Sequence, residues 1–518
     1  MRKIWRRAGA AVLTAALAAA ALSGCGGQKA EKHSVKELTL YMVSTYVPYN
    51  PDLPIWQTAE EKTGIRLVNT VSEAVTDENA AFGTMLISKK LPDIVLSKTE
   101  NLRSMALDGG LVPLDAYIDE YAPNLKKFFD DCKIAREIAT MEDGHTYFVP
   151  GTTTDLDQPN APSTGFFIRQ DWLEKLNLQI PTTIEELHDV LYAFKTQDPN
   201  GNGLADEIPY FCRMKRPDEL LNLFCARMGY MKTDDGTVGF GAVQESYKTG
   251  MKELARWYAE GLIDKEIYTR NSAREQLLGQ NLGGCTGDWF ASTGKFDDSY
   301  AENVPGLELV PMLPPENIKG QVTWPDTRGP LHGRGWGISR DCSQEDVIDA
   351  VKYLDFWMSR EGCELMAYGV EGKSYTKGEN GEIIWAEEAS RYADGIPNYR
   401  RSIGFIETGT VGILEAEKAG MNDAALKGFE MYEGIVSGND VSNLSFTAEE
   451  QKINDKYSNG IWTYACEQQQ RWLLGQGDVE AEWETYVETL NKMGLKEMER
   501  IHRNAYERMM ETGAEAGA

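Results

Sequence analysis

"KELTLYM" (residues 36–42), "IWQTAEEKTGIRLV" (55–68), "ENAAFGTMLIS" (78–88) and "DIVL" (93–96) follow one another near the start of the chain, and their patterning decides the fold. Leu38, Leu40 and Met42 alternate with polar or aromatic neighbours, which is the period of a strand with one face buried. Trp56 to Lys62 reads as a helix, Ile65 to Val68 as a second strand, Glu78 to Ser88 as a second helix and Asp93 to Leu96 as a short buried strand. Strands separated by helices in this βαβαβ order predict a mostly parallel sheet, and hence an α/β fold.

Downstream the helical period returns. Asp171 to Asn177 reads as a helix, and so does Thr182 to Gln197, where Ile184, Leu187, Leu191 and Phe194 form an apolar stripe and Thr182 with Glu185 has the spacing of a capping box. Val347, Val351, Leu354 and Met358 recur at the same spacing, as do Trp483, Val487 and Leu490, and then Met498, Ile501, Ala505 and Met509, with Gly494 between the last two helices. At about 150 residues per ordinary domain, the length of 518 leaves room for roughly three domains or for two large α/β lobes. No repeat of fixed period and no long Pro-rich or Ser-rich linker divides the chain, so the lobes are expected to be interwoven.

Composition narrows the partners. The chain has 80 Asp and Glu against 53 Lys and Arg, a formal charge of -27, which repels phosphate backbones and anionic headgroups and argues against a nucleic-acid partner. A hydrophobic fraction of 42% with 12 Trp, 23 Tyr and 16 Phe is that of a globular chain with a core, not of a disordered acidic one.

Residues 1–24 place Arg2, Lys3, Arg6 and Arg7 before the apolar run Ala8 to Leu22, the layout of a signal peptide. Leu22-Ser23-Gly24-Cys25 resembles a bacterial lipobox, so Cys25 is expected to be the mature N-terminus, carrying lipid and tethering residues 25–35 to the membrane. Loss of the four leader cations takes the net charge to -31. Seven cysteines remain, at 132, 212, 225, 285, 342, 363 and 466, with no CxxC pair or metal-finger spacing. Most read as small buried residues, with Cys212 and Cys225 as a candidate bridge.

Four segments carry a family likeness: "LPDIVLS" (91–97), "GGLVPLDAYIDEYAPN" (109–124), "FFIRQDWLEKLNLQIPTTIEELHDVLYAFKTQDPNGNGLADEIP" (166–209) and "YGVEGKSY" (368–375). In this order they resemble extracellular solute-binding proteins, family 1, of ABC importers, in particular the Gram-positive carbohydrate-uptake lipoproteins and the alginate-oligosaccharide-binding proteins. The likeness runs from about Lys36 to Arg508. It implies a two-lobed, Venus-flytrap fold of the periplasmic-binding-protein type, with interwoven lobes and an oligosaccharide held in the cleft. The expected division is 36–155 with 312–370 in the N-terminal lobe, 156–311 with 371–512 in the C-terminal lobe, and 513–518 as a tail. The permease lies on other chains, and the protein itself is expected to be a monomer, lipid-anchored on the extracytoplasmic face of the cell membrane.

The strongest local chemistry is Asp198, Asn200, Asn202, Leu204, Asp206 and Glu207 around Gly203. Oxygens at loop positions 1, 3, 5, 7 and 9, with the backbone carbonyl at position 7 and Gly at 6, suit a hard cation such as Ca²⁺. Position 12, where an EF-hand has its bidentate Glu, is Pro209, so Glu207 must complete the shell. The resemblance implies a calcium site of this shorter pattern, with a structural role. Gly372-Lys373-Ser374 is a decoy: a phosphate loop needs a Gly where Ala367 stands, and a turn lining the cleft is expected, with Tyr375 as a contact.

Sugars present C–H faces to aromatic rings and hydroxyls to planar polar groups. By resemblance, Trp289 is the stacking residue and Asp288 the hydroxyl acceptor. Tyr46, just after the first strand, lies where open α/β sheets bind ligands, and Trp336 and Phe405 are further candidates, whereas Trp172 is assigned to the core. The alternative function is a surface-anchored glycoside hydrolase, which needs two carboxylates facing across the scissile bond. Against it stand the absence of HExxH or GxSxG and five scattered histidines. The acidic balance argues against a polyanionic ligand unless Arg328, Arg334, Arg400 and Arg401 make the cleft locally basic.

Overall fold

A computed structural model describes residues 35–512, apart from 45–46, 89, 158–160, 214–216, 294–295, 301, 326–328, 393–394, 407–408, 437–440 and 442–443. The leader, Cys25, Tyr46 and Arg328 lie outside the described residues.

The first sheet takes β1 (Lys36–Met42), β2 (Ile65–Asn69), β3 (Ile94–Lys98) and β4 (Phe148–Thr152) from the start of the chain and β11 (Leu331–Ile338) from far downstream, in the order β2-β1-β3-β11-β4. The three strands read from the opening stretch are parallel, as expected. β11 inserts antiparallel to both β3 and β4. Between β1 and β2 the helix Pro54–Thr63 buries Ile55, Trp56 and Ala59 and stops at Gly64, whose φ of 73° is the left-handed conformation that glycine adopts without strain. Gln344–Met358, capped by the Ser343 hydroxyl, buries the predicted stripe of Val347, Val351, Leu354 and Met358.

The second sheet has the order β10-β5-β9-β6, from β5 (Thr164–Arg169), β6 (Ile208–Cys212), β9 (Gly283–Trp289) and β10 (Leu309–Met312). β6 and β9 are parallel, while β5 runs antiparallel to both β9 and β10. Two hairpins, β7 (Tyr230–Lys232) with β8 (Val238–Phe240) and β12 (Tyr375–Lys377) with β13 (Ile383–Trp385), stand apart from both sheets. The helix Ile184–Thr196 buries Leu187, Leu191 and Phe194 against the second sheet, and Trp172 packs edge-on to Phe194 in the core as assigned. Its cap is Thr183 rather than Thr182. The Thr183 hydroxyl accepts from the Glu186 N–H, and the Glu186 carboxylate accepts from the Thr182 N–H and hydroxyl.

Each sheet has its own apolar core, one including Leu40, Ile94, Trp336 and Leu354, the other Phe166, Trp172, Tyr210 and Trp257. The chain passes repeatedly between them: Trp324 and Phe429 pack in the second core, Tyr399 and Ile403 in the first. Two long helices tie the lobes together. Leu495–Thr512 contributes Met498 and Ile501 to the second core and Met509 to the first. Ala448–Leu473 buries Ile461, Ala465 and Trp472 in the second core, while the segment just ahead of it docks on the first lobe, where Arg103 donates to the carbonyls of Ile138 at 2.7 Å and Phe446 at 2.6 Å. The result is a two-lobed α/β molecule with shared elements. All seven described cysteines are free, so Cys212 and Cys225 are not bridged. No helix among the described residues is long and apolar enough to cross a membrane.

Candidate functional site

A cavity of about 470 Å³ lies between the lobes. Thr152 and Leu331 reach it from the first sheet, Trp289 from the end of β9, and Arg400, Phe405 and Thr410 from the segment that crosses between the lobes. Trp289 is the last residue of its strand and remains 36% exposed, so its indole offers a flat apolar face to the cavity. Phe405 is half-buried, with the Arg400 guanidinium 4.1 Å from its ring centroid. Of the aromatic residues singled out, these two are brought together in the cleft.

The others are placed elsewhere. Alternation along β9 turns Asp288 away from Trp289 and buries it. Its carboxylate accepts from the Trp289 N–H at 2.7 Å and lies 3.1 Å from Arg274 Nε and 3.6 Å from Arg213 Nη1. Burial pushes its pKa up, against the pull of these two guanidiniums. This arrangement fixes the backbone that carries Trp289. Trp336 is 1% exposed in the middle of β11, between Leu96 and Val149, with its indole edge against Gly409. Tyr375 is buried against Tyr368, ring centroids 5.3 Å apart. The Gly372-Lys373-Ser374 segment is a turn leading into the β12–β13 hairpin, with Gly372 at φ 80°. Arg334 is paired with Glu78 at 2.6 Å, while Arg400 and Arg401 line the cavity. Glu417 is the one acid among the described lining residues. Thr152, His332, Thr410 and Ile413 were missed by sequence reasoning, because the cavity wall is assembled from separate segments, none of which has a pattern of its own.

The acidic loop after the helix Ile184–Thr196 is wound tightly. Asp198, Gly201 and Gly203 all have positive φ, of 50°, 73° and 78°. The Asp198 carboxylate accepts from the N–H groups of Asn202 and Gly203, both at 3.0 Å, and Asp206 accepts from the side-chain amides of Asn200 and Asn202 at 3.0 and 3.1 Å. Glu207 is 1% exposed, and neither of its carboxylate oxygens has a hydrogen-bond partner. Loss of solvent raises its pKa, with the charges of Asp206 and Asp198 adding to the shift. A buried carboxylate with two orphaned oxygens beside two further acids fits a hard cation, which would supply the missing partner. A second cluster, Asp93 with Cys342 and Asp346, is satisfied internally: Asp93 accepts from the N–H and hydroxyl of Thr39, and Asp346 pairs with Lys36 at 2.7 Å.

The family described as a bacterial extracellular solute-binding protein matches over residues 55–370. A curated relative, the fructooligosaccharide ABC transporter substrate-binding protein FusA of Streptococcus pneumoniae serotype 4, is 26% identical over 96% of this chain and 97% of its own length. Among solved structures, the alginate-binding protein AlgQ2 without calcium ion superposes with a TM-score of 0.79 at 32% identity, covering 92% of this chain and 98% of that one. FusA in complex with kestose superposes with a TM-score of 0.75 at 22% identity, covering 92% and 100%, a likeness of fold.

Proposed function

Because this chain belongs to the bacterial extracellular solute-binding proteins, we propose that it captures an oligosaccharide between its lobes and delivers it to the permease of an ABC importer. The observation that carries this reading is the pairing of an exposed Trp289 with Phe405 and Arg400 across the interlobe cavity. An indole stacks on the C–H face of a pyranose or furanose ring, and the threonines and guanidiniums around it suit hydroxyl oxygens. A sugar that touches both lobes does so fully only when they are closed, so binding shifts the population toward the closed form, which presents a new surface to the permease.

The chain is a binding protein and not an enzyme. A glycosidase needs two facing carboxylates, and the described wall of the cavity has Glu417 alone. The loop Asp198 to Glu207 holds a structural Ca²⁺, with oxygens from Asp198, Asn200, Asn202, the Leu204 carbonyl, Asp206 and Glu207; the orphaned Glu207 oxygens support this. Cys25 carries the lipid that keeps the protein on the extracytoplasmic face, and replacing it with Ser should release the protein from membranes.

Titration calorimetry of the mature chain against kestose and an alginate trisaccharide tests the central reading. Saturable binding of either, without conversion to shorter products, is expected. Turnover of the bound sugar would instead make the protein a hydrolase.

A further inference from the structure

One face of the second sheet carries a row of polar groups that leads from the core to the cleft. The parallel register sets Tyr210 beside Cys285 and Cys212 beside Gly287. Residues two apart on a strand share a face, so Tyr210, Cys212, Gly287 and Trp289 lie on one side of the sheet, with Trp289 at the cavity end. Glu219, from the short helix Asp218–Leu221, fills the space that Gly287 leaves open: a Cβ on Gly287 would stand 2.8 Å from Glu219 Cγ. Glu219 is half-buried, one step along the face behind Trp289.

The groups around Glu219 disfavour its charge. From β6 the Cys212 thiol donates weakly to Oε2 at 3.5 Å, and the fully buried Tyr210 hydroxyl has no hydrogen-bond partner. On its own helix Asp218 is a negative neighbour, held by the Gln469 amide at 3.0 Å. From β9 Asp288 is another, facing Arg274 and Arg213. Loss of solvent, with the Asp218 charge next in size, pushes the Glu219 carboxyl up to about 8. At neutral pH the group therefore holds a proton and has an O–H to give.

We infer that Glu219 is a ligand-contact residue of the second lobe, meeting a sugar hydroxyl as an uncharged carboxylic acid beside the ring held by Trp289. This rests on the reading of the cleft as a glycan site and adds to it a donor and a pH dependence. A carboxylic acid donates with one oxygen and accepts with the other, which matches a hydroxyl that does both. A carboxylate in its place can only accept, and its charge adds to those of Asp218 and Asp288. Affinity then falls as pH rises through the ionisation of Glu219.

The test is calorimetry of the full mature chain with kestose, and separately with an alginate trisaccharide, from pH 6 to 9.5. Kestose has no group that ionises there, and uronate carboxyls are already charged, so neither sugar titrates. Wild-type affinity should fall roughly tenfold between pH 7 and pH 9. Glu219→Gln keeps the shape and a donor, and should bind within a few-fold of the wild type at pH 7 and lose the slope. Glu219→Ala should bind weakly at every pH.

A second readout needs no sugar. A carboxyl whose folded pKa is raised makes its full contribution to stability below its unfolded value and loses it as pH rises through the folded one. The wild type should therefore lose melting temperature relative to Glu219→Gln as pH climbs from about 4.5 to about 8. If the two proteins have the same affinity profile, Glu219 does not touch the ligand and the inference is overturned, while the glycan site stands. Failure of both sugars to bind at any pH overturns the glycan reading and this inference with it.

Discussion

Trp289 and Trp336 are the same residue type in opposite situations. Trp289 ends a strand with its indole 36% exposed at the cavity, while Trp336 is 1% exposed between two strands. Replacing Trp289 with Ala should cost about 2–4 kcal/mol of binding, or roughly thirty- to a thousandfold in affinity by calorimetry, with the melting temperature little changed. Replacing Trp336 with Ala should cost about 3–5 kcal/mol of stability, read from denaturant unfolding, because it opens a cavity in a packed core. Nothing in the local sequence separates the two: both follow a glycine or an acid in a short apolar run, and both are large enough to stack on a sugar. What separates them is that β11 inserts between β3 and β4, a pairing of segments far apart along the chain. Trp289 was legible through its family context, and Phe405 as an aromatic candidate. The threonines of the cavity wall were not legible at all.

The helix Ile184–Thr196 and the loop after it show how far periodicity reads at the level of an element. The stripe of Leu187, Leu191 and Phe194 was visible because burial repeats with the helical turn. Its first residue was not, since Thr182 with Glu185 and Thr183 with Glu186 have identical spacing. The choice is made from outside: Glu316 donates its N–H to the Thr182 carbonyl at 2.8 Å, so the first carbonyl free to accept a helical N–H is that of Thr183, from Leu187 at 2.9 Å. In the loop, the spacing of Asp198 to Asp206 was legible, but the burial of Glu207 was not. If the loop binds Ca²⁺ only when folded, the ion adds about 2.7 kcal/mol at a hundredfold excess over Kd. Chelator should lower the melting temperature of the wild type, and added Ca²⁺ should restore it. In Glu207→Ala, which loses two ligand oxygens, chelator should have little further effect. A wild-type melt indifferent to chelator, with no metal found by elemental analysis, would show that the loop holds no calcium.

At the scale of the molecule, two lobes with separate cores share the helices Ala448–Leu473 and Leu495–Thr512. Two independent domains would melt in two steps, but lobes that own parts of the same helix lose them together. Calorimetric unfolding should therefore give one endotherm. Arg103 ties the start of this brace to the first lobe through two carbonyls, so Arg103→Ala, which strands both buried acceptors, should lower that transition by the equivalent of about 2–3 kcal/mol. The α/β class and the absence of a linker pointed to two interwoven lobes, and the order of the first three strands was readable from their spacing. The crossing itself was not, since the heptad-like stripe of Met498, Ile501, Ala505 and Met509 looks the same whether it faces one core or two.

The position of Met509 in the first core also sets a timetable. Neither lobe can finish packing while the polypeptide is still being made, because the ribosome has to release the final helix before Met509 can close the core begun by Leu38 and Leu40. The growing chain must remain loose enough to be handled by whatever carries it to its destination, and nascent fragments cut anywhere before this helix should stay soft targets for proteases. Resistance should arrive abruptly, with the last turn of the last helix.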